Sequence, residues 1–220
     1  MSLPVYFVSQ RQIPPKNGKY AAAGWHCAAD GTLAAPENLY PADALVFDDR
    51  LALPDPPDAL AESLLVQADR IGAEVIVLDF ERPVCPAACR FAALLSEKLR
   101  TAAPARFCTE ACEPILCYEP SKQTFAEFLA GARGWIELRP IRETVRYCVD
   151  AAEPREGGEH FSTLLQCRYR ACSTRSELLL ELFDTPETFR ARFDLVKSRF
   201  SAAIGLQSEL DALDFPHAGR

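Results

Sequence analysis

The alternation of short β-rich runs with amphipathic helical stretches constrains this chain more than any other feature. Strands joined through helices pair in parallel and are covered on their outer face. The run Glu74 to Phe80 (EVIVLDF) is the strongest strand signal. Its first part is apolar on both faces, as a strand needs when helices lie on one side and a barrel interior on the other. Further strands are expected at Val5 to Ser9, Ala44 to Asp48, Arg106 to Thr109, Ile115 to Tyr118, Trp135 to Leu138, Leu178 to Phe183 and Ala202 to Gln207. One helix opens after Pro56 and Pro57 and stops at Gly72, and a second begins near Pro86 and ends before Pro104. A third carries a capping box at Thr124 and Glu127, and a fourth starts from Asp184 to Glu187 (DTPE).

Roughly eight strands in 220 residues fall short of the ~250 residues of a regular (β/α)8 barrel. The expectation is therefore an α/β fold, a reduced or irregular (β/α)8 TIM-like barrel with some helices missing. Arg106 to Thr109 and Ile115 to Tyr118 lie too close together for a crossover helix. Glu143 to Asp150 and Phe161 to Cys172 alternate with a period of two around EPREGGE, which predicts an antiparallel hairpin inserted at about residues 143–172. The barrel is expected over residues 1–212 as one domain, with 213–220 as a frayed tail. The long connection after the first strand carries Trp25 and His26, placed to close over a barrel mouth.

Lys and Arg number 24 against 31 Asp and Glu, a net charge of −7, so no nucleic-acid partner is expected. The amino terminus reads as a strand rather than a leader, and no apolar stretch reaches the ~18 residues of a membrane span. A cytoplasmic chain with no membrane partner is the expectation. Nine cysteines lie mostly in apolar runs, Cys108, Cys117, Cys148 and Cys167 among them. They read as free core thiols in a reducing compartment. Cys85, Cys89, Cys108, Cys112 and Cys117 form no C-x-x-C pair and have no nearby His, so no metal is expected from them. No glycine-rich nucleotide loop and no nucleophile elbow occurs, so no cofactor is expected either.

Polar residues collect at the carboxyl ends of the strands: Asp48, Asp49, Arg50, Asp79, Glu81, Arg82, Glu110, Glu119, Glu137, Arg139, Asp184 and Glu209. In a parallel barrel these ends meet at one mouth, where such folds keep their active sites. For Asp184 and Glu119, capping or solvation is the plainer role. Asp79 and Glu81, two apart on one strand, project to the same face with Cα atoms roughly 6.5–7 Å apart. A partly desolvated carboxyl beside a second carboxylate holds its proton more tightly and becomes a usable general acid, as a glycosidic bond requires. Tyr118 and Trp135 could stack on a sugar face or fill core, and Asp48, Glu137 and Glu209 would line the same mouth as substrate-binding groups.

The run EVIVLDFE resembles the catalytic strand of the chitinase-like family 18 glycoside hydrolases, whose pattern is D-x-x-D-x-D-x-E. The resemblance implies that Glu81 protonates the leaving oxygen and that Asp79 orients the acetamido group of an N-acetylated sugar. Val77 and Glu74 stand where the pattern has Asp. Two other readings stay open: a barrel that binds carbohydrate without catalysis, and a divalent-metal enzyme built on Asp48, Asp79, Glu81 and Glu110. A small carbohydrate is the expected ligand. Tyr147, Phe161 and Tyr169 in the inserted hairpin offer an edge for a homodimer.

Overall fold

The computed structural model describes residues 3–9, 13–15, 18–108, 110–148, 155–174 and 176–215. Eight parallel strands close into a barrel: β1 (Val5–Ser9), β2 (Lys19–Cys27), β4 (Ala44–Asp48), β5 (Val75–Asp79), β6 (Arg100–Pro104), β7 (Glu113–Cys117), β8 (Trp135–Glu137) and β13 (Ala202–Leu206). Each pairs with the next, and β13 pairs back with β1. The two-residue β3 (Leu33–Ala34) adds an antiparallel edge to β2. The expected α/β barrel is what the chain forms.

Alternation of side chains between the two faces of each strand sorts the core into three parts. Inside the barrel lie Tyr6, Ala21, Ala44, Val46, Val75, Val77, Ala102, Trp135, Ala202 and Ile204. Four alanines make room there for the stacked rings of Tyr6 and Trp135, whose centroids are 4.8 Å apart. Outside, Ile76, Leu78 and Phe80 pack under α1 (Asp58–Ile71) and α2 (Pro86–Ser96). A second outer layer joins β1, β8 and β13 to α3 (Phe125–Ala130), α4 (Pro186–Val196) and α5 (Gln207–Ala212). Thr124 and Glu127 form the expected capping box at the start of α3, and Thr185 and Thr188 form its counterpart at α4. Gly134 enters β8 at φ 65°, where a Cβ would collide with the Pro114 carbonyl oxygen, so the turn requires glycine.

Helices follow β4, β5, β7 and β13, and α4 follows β8 only after an insertion. Between β6 and β7 there is a single 3₁₀ turn, Ala105–Phe107, where a strand was expected from Arg106. The strand lies earlier, at Arg100–Pro104, and α2 ends at Ser96 rather than running on towards Pro104. Thr109 falls outside the described residues. The expected long first connection contains β2, so Trp25 and His26 sit on a barrel strand. Trp25 is fully buried in the outer core and closes over nothing.

The insertion is larger than the hairpin expected. Strands β9 (Arg142–Cys148), β10 (Arg155–Ser162), β11 (Cys167–Ser173) and β12 (Glu177–Phe183) form an antiparallel sheet in the order β10-β11-β12-β9. The first strand pairs with the last, not with its neighbour in sequence. The run at Leu178 to Phe183, expected in the barrel, thus belongs to this sheet; residues 149–154 lie outside the described ones. The neck is closed reciprocally: Asp184 N donates to Ile141 O at 3.1 Å, and Ile141 N donates to Asp184 Oδ2 at 2.8 Å. Leu213 and Phe215, expected to fray, are buried in the outer core, where Phe215 meets Phe189 and Phe193 edge-on. Residues 216–220 are outside the described part.

Candidate active site

The carboxyl ends of the barrel strands surround an open hollow of about 330 Å³, within the size range of small-ligand sites. Val46, Val77 and Ile204 make its apolar floor, and Asp79, Glu81, Glu137, Arg139 and Glu209 its polar wall. Both members of the Asp79 and Glu81 pair thus line one cavity, and both are exposed to solvent at its rim. Val77 lies directly below them inside the barrel, with Leu78 and Phe80 in the outer core, as the alternation along the strand requires.

Three neighbours fix the backbone that carries the pair. Asp49, buried at the end of β4, accepts hydrogen bonds from Glu81 N at 2.9 Å and Arg82 N at 3.0 Å. Arg106 Nη2 donates to the Phe80 carbonyl at 2.8 Å, and the Phe107 ring stands edge-on to that of Phe80. Burial pushes the Asp79 carboxyl up to about 6, with the negative charges of Glu81, Glu137, Asp48 and Asp49 adding to the effect. Access to solvent at the rim does not cancel this, because four carboxylates act on Asp79 in the same direction as its desolvation. Among the described residues, neither Asp79 nor Glu81 forms a salt bridge. The guanidinium groups that follow the strand-end acids are directed elsewhere: Arg50 binds Asp48 through Nε at 2.6 Å and also through Nη2, and Arg82 reaches the Arg50 carbonyl at 3.4 Å.

The other expected site residues divide. Glu137 and Glu209 line the hollow. Asp48 stands level with Asp79 across the β4–β5 pair but is held by Arg50. Trp135 begins β8 at the opposite end of the barrel. It is fully buried, and its Nε1 donates to Glu113 Oε2 at 3.1 Å, so it offers no face to a ligand in the hollow. Tyr118 is also buried, packed on Phe125 and Phe128, with its hydroxyl donating to the Leu165 carbonyl at 2.9 Å. Only its margin meets an adjoining groove of about 380 Å³ that runs past Glu119, Arg139, Arg142 and Glu143 towards the inserted sheet. Glu119 pairs with Lys122, Glu110 is exposed outside the hollow, and Asp184 is buried at the neck in an ion pair with Arg192.

Sequence reasoning gave no role to Asp49, Arg106 or Cys117. Asp49 was visible as the second acid of VFDDR and Cys117 as a thiol within the strand expected from Ile115, whereas Arg106 acts from the turn after β6 and carried no local signal. Cys117 stands level with Glu137 across the β7–β8 pair, and burial together with that carboxylate pushes its thiol up to about 12. Among the described residues no group of three or more His, Cys, Asp or Glu is arranged to hold a metal ion, so the oxygen cluster considered for a divalent cation is not assembled. No helix among them is long and apolar enough to cross a membrane.

Fold and site together define a closed, eight-stranded parallel α/β barrel with a ring of strand-end acids and an antiparallel sheet inserted after the seventh barrel strand. No family model and no curated protein sequence matches the chain. Among solved structures it is similar to the spore cortex-lytic enzyme SleL of Bacillus megaterium QM B1551, with a TM-score of 0.55 at 14% identity over 97% of this chain and 73% of that one. SleL of Bacillus cereus gives 0.55 at 11% over 99% and 76%, and the putative sporulation-specific glycosylase ydhD of Bacillus subtilis gives 0.54 at 11% over 83% and 88%. At such identities the likeness establishes the barrel fold.

Proposed function

We propose that this chain is a glycoside hydrolase acting on an N-acetylated glycan, with Glu81 as the general acid and Asp79 as the group that orients the acetamido substituent. The observation that carries the reading is that both carboxyls line one solvent-reachable hollow at the end of the fourth barrel strand, free of any guanidinium clamp. Glu81, the outer of the two, meets the leaving oxygen and gives it a proton. Asp79, deeper in the wall, accepts the acetamido N–H once ionised, which turns the amide oxygen towards the sugar carbon. Arg139, Glu137 and Glu209 offer hydrogen bonds to ring hydroxyls. The solved barrels of this shape include enzymes named as lytic for spore cortex, which puts a bacterial cortex glycan first among substrates to try.

A binding barrel without turnover is the second reading, favoured by Val77, which puts a buried apolar side chain below Asp79 where the catalytic pattern has an acid. One comparison separates the two. Hydrolysis of N-acetylglucosamine oligomers or cortex fragments is expected for the wild type and its loss for Glu81→Gln, with thermal stabilisation by the same oligomers kept in both. A wild type that is stabilised but does not hydrolyse supports the binding barrel; one that neither hydrolyses nor is stabilised overturns both.

A further inference from the structure

We propose that Cys108 and Cys112, in the loop between β6 and β7, are a reversible dithiol–disulfide pair. Their sulfur atoms are 3.6 Å apart and share a hydrogen bond, while all nine cysteines are free thiols. Closing to the ~2.05 Å of a disulfide needs a further approach of about 1.5 Å. The loop holds the two together because both of its ends are anchored. On one side Arg106 and Phe107 are fastened to Phe80. On the other, Glu113 follows Cys112 directly and is bound by Arg100, Trp135 and Ser201. Two thiols on a tethered loop of this length meet at a high effective concentration, so ring closure competes well with capture of a second external thiol.

The two sulfurs are unequal, which sets the order of events. Cys108 is only partly buried, whereas Cys112 is buried. Pairing with Cys112 holds the Cys108 thiol below the usual range, helped by a backbone hydrogen bond of Ala103 and by the positive charge of Arg133, whereas the same pairing and burial push Cys112 up. Cys108 is thus the attacking thiolate. It displaces one thiolate from a low-molecular-weight disulfide and forms a mixed disulfide. Cys112 then gives up its proton and attacks the Cys108 sulfur, expelling the second thiol. Two protein thiols are oxidised, and the external disulfide is reduced to two thiols.

The test is incubation of the folded protein with oxidised glutathione, blocking of remaining thiols, and peptide mapping after cleavage at Arg106, Glu110 and Glu119. The segments carrying Cys108 and Cys112 should remain joined, lighter by two hydrogens, and separate again under dithiothreitol. Cys117→Ser should leave the link intact, while Cys112→Ser should stop at a glutathione adduct on Cys108. A link that forms only in urea, or one that joins Cys108 to Cys117, overturns the proposal.

Discussion

At the scale of single residues, Asp79 is the group whose chemistry the barrel changes most. Folded, it keeps its proton up to about pH 6, against an ordinary value of 3.8. Between those values folding takes up a proton, so the stabilisation linked to it is whole below about pH 4 and is lost as pH rises through 6. An ionised Asp79 is then surrounded by carboxylates that repel it. Asp79→Asn should therefore melt above the wild type near pH 8, by about 2–4 °C once the exposed rim is discounted for solvent screening, and match it below about pH 4. Thermal melts of both proteins across that range check the sign, and a wild type more stable than the variant at high pH contradicts it. The same titration gives the proposed hydrolase an acid limb near pH 6 in kcat/KM, because a protonated Asp79 accepts the acetamido N–H more weakly and no longer polarises it by charge. That limb should vanish in Asp79→Asn along with most of the rate.

Among the elements, the inserted sheet depends on one buried ion pair at its neck. Arg192 from α4 binds both oxygens of Asp184 at the end of β12, and their side chains are 8% and 1% exposed. Asp184 also accepts from Ile141 N and Thr188 Oγ1, so it ties the start of the insertion to its end. Removing only the cation leaves a buried carboxylate unpaired, and Arg192→Met should cost about 3–5 kcal/mol in urea unfolding. Asp184→Asn in the same chain should recover about half of that loss. A double variant no more stable than Arg192→Met alone would show that packing of the arginine stem, not its charge, holds the neck. Strands were legible in the sequence where both faces are large and apolar, as in β5, and invisible where the barrel interior demands small side chains. Ala21 in β2 and Ala102 in β6 face that interior, and with their neighbours Ala22 and Ala103 on the outer face they carry no strand signal and favour helix on propensity alone, which hid two of the eight staves. The Asp79 and Glu81 pair was readable because alternation fixes its direction. Trp135 was misplaced although the signal existed: it opens its strand, and the mouth lies at the other end.

For the whole molecule, the barrel closes by its own hydrogen bonds, and the insertion leaves and returns at adjacent points, Ile141 and Asp184. Joining those residues through a tight Asn-Gly turn in place of residues 142–183 should therefore leave a folded barrel, with less chain to order. The cost lies in the outer core, which loses Leu182 and Cys167, and in the Tyr118 hydroxyl and Phe125 N–H, which lose the Leu165 and Leu164 carbonyls. Burial of that size is worth about 3 kcal/mol, or roughly 10 °C in melting temperature. Both tryptophans report on the barrel alone, Trp25 from its outer face and Trp135 from its interior, and neither touches the insertion. The shortened protein should keep their buried, blue-shifted emission and a single cooperative melt at the lower temperature. Red-shifted emission with a broad transition would mean that the barrel cannot close without the sheet, and that the insertion is part of the folding unit rather than a wall added to its mouth.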